Sequence, residues 1–105
     1  MSKAERQQAV ESLAGEIRVV CGKAVPVRVT VEAAIIRVET VEQVPTEDGE
    51  YQPLVLYLVL VRSFSSALWH IRWDWMRGQE HGQCTTALLP YAVRGLLDAL
   101  ISPTR

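Results

Sequence analysis

The chain has 105 residues, of which 49% are apolar and 22% charged, and its 11 Lys+Arg against 12 Asp+Glu leave a formal net charge of −1. This composition excludes a disordered tail, and the charge balance leaves no field of either sign to gather nucleic acid or an anionic membrane surface. A chain of this length buries roughly 65% of its unfolded surface on folding, so residues 1–105 are expected to form a single α+β domain. The first residues, Met1 to Gln8, lack the apolar core of a secretory signal, and the longest apolar run, Leu54–Val61, is less than half a membrane span. Two cysteines, Cys21 and Cys84, are too few for a disulfide framework. A cytoplasmic protein with no membrane partner is the expectation.

Ser2-Lys3-Ala4-Glu5 has the pattern of a capping box. Val10, Leu13, Ala14, Ile17, Val20 and Cys21 then recur at helical spacing, with Gly22 placed to end the helix and Pro26 forbidding its continuation. Gly15 interrupts this helix at a cost of about 1 kcal/mol relative to Ala, which implies either close packing or a locally weak helix.

From Val27 the period becomes two. Val27, Val29 and Val31 alternate with Arg28, Thr30 and Glu32, but after Ala33-Ala34-Ile35 the phase slips, so that Ile36 and Val38 are apolar and Arg37 and Glu39 polar. Such a slip requires a bulge or a break between two strands. The rival is a helix, since Val31, Ala34, Ile35, Val38 and Val41 also fit 3–4 spacing, but the density of β-branched residues favours strand.

Val44–Pro53, with two prolines, an Asp-Gly pair and the acidic cluster Glu47-Asp48-Gly49-Glu50, reads as a loop. Leu54–Val61 is a strand apolar on both faces. After a turn at Ser63–Ser66, Trp69, Ile71, Trp73 and Trp75 alternate with His70, Arg72 and Asp74. Arg77–Gln83 reads as a polar loop bearing glycines. The last element is a helix beginning near Leu89, with Val93, Leu96, Leu97, Leu100 and Ile101 on one face and Pro90 in its first turn, where the missing N–H is harmless. The resulting order is α-β-β-β-α: an antiparallel meander, its first strand long and bulged or broken, with both helices on one face.

This order is shared with double-stranded-RNA-binding domains, whose last helix begins with a lysine-rich turn that meets phosphates; here that turn is Thr85-Thr86-Ala87-Leu88-Leu89-Pro90, without a cation, so nucleic acid is not an expected partner. Chemistry is sparsely represented. Cys21, His70, His81 and Cys84 could supply four zinc ligands, but only His81 and Cys84 are close in sequence, and no metal or other cofactor is expected. A Cys84–His81–Glu80 nucleophile has no identifiable oxyanion hole, so no catalytic residue is assigned. His70, Arg72 and Asp74 share one strand face and are the candidates for a ligand site or a polar surface; the tryptophans with Tyr57 would form core or line a pocket.

Function follows from the two-sided strand. With helices on one face only, either Leu54, Leu56, Leu58 and Leu60 or Val55, Tyr57, Val59 and Val61 lack cover. The second row, rimmed by polar residues, is the expected interface of a non-enzymatic protein–protein interaction module. Its first partner is expected to be the chain itself, as a homodimer, with another protein beyond that. The alternative is a small-molecule-binding or enzymatic domain built on His70, Arg72 and Asp74.

Overall fold

The computed structural model describes residues 3–23, 25–33, 35–45, 49–62, 67–73 and 79–101. Helix α1 spans Lys3–Gly22 and α2 spans Leu89–Ile101; between them run β1 (Val27–Glu32), β2 (Ile35–Thr40), β3 (Val44–Pro45), β4 (Tyr51–Gln52), β5 (Val55–Arg62), β6 (Ala67–Trp73) and β7 (Gln79–Thr85). Strands β1-β2-β5-β6-β7 form one antiparallel sheet in sequence order, while β3 and β4 make a two-stranded ladder of their own. The α+β meander with its helices packed on the sheet is therefore the fold.

The phase slip after Glu32 is a tight hairpin. Glu32 pairs with Ile35 and Val31 with Ile36, so two residues connect β1 to β2 and Ala33 turns the chain at φ 52. A positive φ costs an L-residue about 1 kcal/mol or more, which the ladder on either side sustains. Because only two residues separate the strands, Val27, Val29 and Val31 share a face with Ile36, Val38 and Thr40. The first strand is broken, as its periodicity allowed, and the helical alternative is excluded.

Two loop assignments require correction. Within Val44–Pro53, the ends pair as Val44 with Gln52 and Pro45 with Tyr51, and Val44 is buried in the core. Arg77–Gln83 overlaps β7, an edge strand paired to β6, where the register jumps from His70–Gln83 to Ile71–His81 and leaves Gly82 over. Polar residues suit an edge because they discourage pairing with another chain, and a bulge breaks any two-residue alternation, so this strand carries no hydrophobic signature.

One face of the sheet holds the core. Val29, Ile36, Val38, Leu56, Leu58, Trp69 and Ile71 are buried there against Val10, Leu13, Ala14, Ile17 and Cys21 of α1 and Leu89, Val93 and Leu97 of α2. Of the tryptophans, Trp69 is core: its Nε1 donates to Thr86 Oγ1 at 3.0 Å, tying β6 to the turn before α2. The Trp73 side chain and Trp75 lie outside the described residues, and Tyr57, grouped with them from the sequence, lies opposite Arg72 on the other face of the sheet. Thr40 is a buried polar residue, 2% exposed, and joins β2 to the segment entering β5: its amide donates to the Leu54 carbonyl at 3.0 Å and its Oγ1 accepts from the Leu54 amide at 2.9 Å. On the edge strand β1, the Val29 carbonyl accepts from Arg18 Nη2 of α1 at 3.0 Å. Among the described residues no helix is long and apolar enough to cross a membrane.

Candidate functional site

The face of the sheet opposite the helices is laid out by the register in three rows. Arg28, Glu39 and Val55 form the first, Thr30, Arg37, Tyr57 and Arg72 the second, and Glu32, Ile35, Val59 and His70 the third. Strand β5 is central, so Val55, Tyr57 and Val59 run down the middle of this face, half-buried by their neighbours, while Ile35 beside them is 39% exposed. The Leu row of the same strand points to the core, which settles which side of β5 the helices cover. Val61 belongs to β5 by its backbone, and its side chain lies outside the described residues, as Asp74 does entirely.

Polar side chains on this face are mutually engaged. Arg37 Nη1 donates to Glu39 Oε1 at 2.8 Å, and Arg28 Nη1 lies 3.9 Å from the same oxygen. A hydrogen bond with Tyr57, and then one with Glu39, raises the pKa of the Arg37 guanidinium above its ordinary value. The row thus places a phenol between two guanidinium-bearing strands, with Arg72 on the far side of Tyr57. Next to it Ile35, Tyr57, Val59 and Arg72 line a shallow concavity of about 260 Å³.

His70 and Arg72 lie on this face as their alternation predicts, His70 half-buried and Arg72 exposed. Ile35, Arg37 and Glu39 were not singled out from the sequence. The adjacent pair Ile35-Ile36 was the available signal, because in a strand one of two consecutive isoleucines must face outward.

Among the described residues, the proposed chemical groupings do not assemble into a defined site. Cys21 is fully buried on α1, and burial pushes its thiol up to about 11, with Arg94 lowering and Asp98 raising it by smaller amounts, so it is neither a nucleophile nor a ready ligand. His81 and Cys84 lie on β7 with side chains outside the described residues, and among the described residues no group of three or more His, Cys, Asp or Glu could hold a metal.

A second surface lies on the helical side. Gly15, Glu16 and Val19 of α1 face Ala87, Pro90 and Tyr91 across an open groove of about 700 Å³, and Val19, Leu88 and Tyr91 are 61%, 60% and 66% exposed. A Cβ at Gly15 would meet nothing within 4 Å, so this glycine does not serve close packing. No known family, no curated protein and no solved structure matches the chain.

Proposed function

We propose that the protein is a non-enzymatic interaction module that self-associates through the open face of its sheet. The observation that carries this reading is the apolar stripe of Val55, Tyr57, Val59 and Ile35 down the centre of a face that is otherwise polar. A sheet face left to water is normally polar throughout, and an apolar centre with a charged rim is the composition of a contact surface. The occupant suggested by charge is a second copy: the rim carries both signs, Arg28, Arg37 and Arg72 with Glu32 and Glu39, and a net charge of −1 sets up little repulsion between copies.

Completing the burial of four half-covered side chains on each of two copies stabilises the pair by roughly 6–12 kcal/mol. Association costs of the same order offset most of this, so dissociation constants no tighter than micromolar are expected. Sedimentation at 10 to 200 µM (about the range such an affinity requires) should show a concentration-dependent dimer, and Val59→Glu should abolish it without altering the circular dichroism. A wild-type chain that stays monomeric throughout overturns the proposal.

The concavity beside Arg72 favours a second reading, a small ligand with an apolar body and a carboxylate seated on Tyr57. Thermal stabilisation by small aromatic carboxylates that is lost in Tyr57→Ala, in a chain that does not dimerise, would select it.

A further inference from the structure

The Arg37–Glu39 pair on the open face has a direction, positive toward the Tyr57 row and negative toward the Val55 row. Two identical surfaces that meet about a twofold axis each present the same directed pair, and the position of the axis decides whether like or unlike charges meet. Packed sheets lie about 10 Å apart with strands within about 30° of one another, so residues at matching heights come face to face.

Several placements of the axis bring β5 onto β5; those through the Val55 row and the Val59 row set Glu39 over the partner's Glu39 and Val59 over the partner's Val59, respectively. An axis along the strands sets Arg37 over the partner's Arg72. An axis across the strands through the Tyr57 row sets Arg37 over the partner's Arg37 and Arg72 over the partner's Arg72. One between the Tyr57 and Val59 rows sets Arg37 over the partner's Ile35 and leaves its charge against an apolar side chain. Only the axis between the Val55 and Tyr57 rows sets Arg37 over the partner's Glu39, Glu39 over the partner's Arg37, and Val55 over the partner's Tyr57.

We propose that the second copy docks in this last register, with the two Arg37–Glu39 pairs stacked head to tail into a closed ring of alternating charge, flanked by reciprocal Val55–Tyr57 contacts. The proposal rests on the self-association reading above and adds the partner's residues to it. The half-buried setting of the pair is what gives it weight, because Glu39 is only 17% exposed and Arg37 35%, and screening by salt is weaker there than at a fully exposed pair.

The test uses two charge reversals. Arg37→Glu makes the pair wholly acidic and Glu39→Arg wholly basic, so each protein alone should dimerise at least tenfold more weakly than wild type. An equimolar mixture of the two should recover a heterodimer within about threefold of the wild-type affinity, a rescue that an ion pair confined to one chain cannot produce. A mixture no better than its components, in a wild type that dimerises and loses its dimer on Val59→Glu, refutes the register and leaves the surface standing. A monomeric wild type refutes the self-association reading itself. If a reversal does not fold, chains with one added cysteine decide, in a Cys84→Ser background where the native Cys21 is buried. Val55→Cys mixed with Tyr57→Cys should cross-link as a heterodimer faster than either variant with itself. Preferential cross-linking of the Val55→Cys chain to its own kind, or of the Tyr57→Cys chain to its own kind, would overturn the proposal.

Discussion

Replacing Gly15 with alanine should stabilise the protein. Gly15 sits in the interior of the 20-residue helix α1, with right-handed backbone, and an added methyl group meets no atom within 4 Å. No steric cost therefore opposes the gain in helix propensity, about 0.8–1 kcal/mol for Gly→Ala in a helix interior, much of which arises from the reduced freedom of the unfolded chain. For 105 residues the unfolding entropy is about 0.2 kcal/mol/K, so this gain raises Tm by about 4–5 °C. Urea denaturation followed by circular dichroism should show a higher midpoint with unchanged slope, and Gly95→Ala in α2, where the added methyl group is equally unobstructed, should do the same. A lower midpoint for Gly15→Ala alone would refute the reasoning. It would mean that the groove beside Gly15 is filled in solution, and that the glycine is there to admit whatever fills it.

Two further predictions concern buried groups. Thr40→Val should cost about 1–3 kcal/mol, because it leaves the buried Leu54 amide without its acceptor, whereas Thr40→Ser, which keeps the oxygen, should cost less; a larger loss in urea for Thr40→Ser than for Thr40→Val would assign the role of Thr40 to its methyl group. The Cys21 thiol holds its proton in the folded state to about 11 against 9.0 when unconstrained, so its contribution is complete below about pH 9 and is lost as pH rises towards 11. The slope should be at most about 1.4 kcal/mol per pH unit. Cys21→Ala should show a shallower decline in stability between pH 9 and 11 than wild type, and a disulfide-exchange reagent should label Cys21 only on unfolding; identical alkaline slopes would contradict the assigned environment.

Much of this fold was legible in the sequence because its elements are periodic. The stripe from Val10 to Cys21, the alternation from Val27, and the Leu89–Ile101 face each bury one side, and burial of one side is what periodicity records. Even the break at Ala33 was visible as a slipped phase, although the tight hairpin that causes it was not. Strand β7 was illegible for the complementary reason: an edge strand of polar residues, bulged at Gly82, is held by backbone hydrogen bonds to β6, and backbone bonding leaves no mark in side-chain type. The candidate site divides the same way. Alternation put Val55, Tyr57 and Val59 on one face with His70 and Arg72, but alternation is symmetric and could not say which row of β5 the helices cover. Arg37 and Glu39, two residues apart on β2, share a face by alternation alone, but the meeting of Arg37 with Tyr57 of β5 depends on long-range register, which exists only once the sheet has formed. Side-chain pattern thus specifies the periodic elements and the two apolar rows of β5, whereas the choice of the valine and tyrosine row as the one facing water belongs to packing, because two apolar rows of one strand differ only in what lies against them.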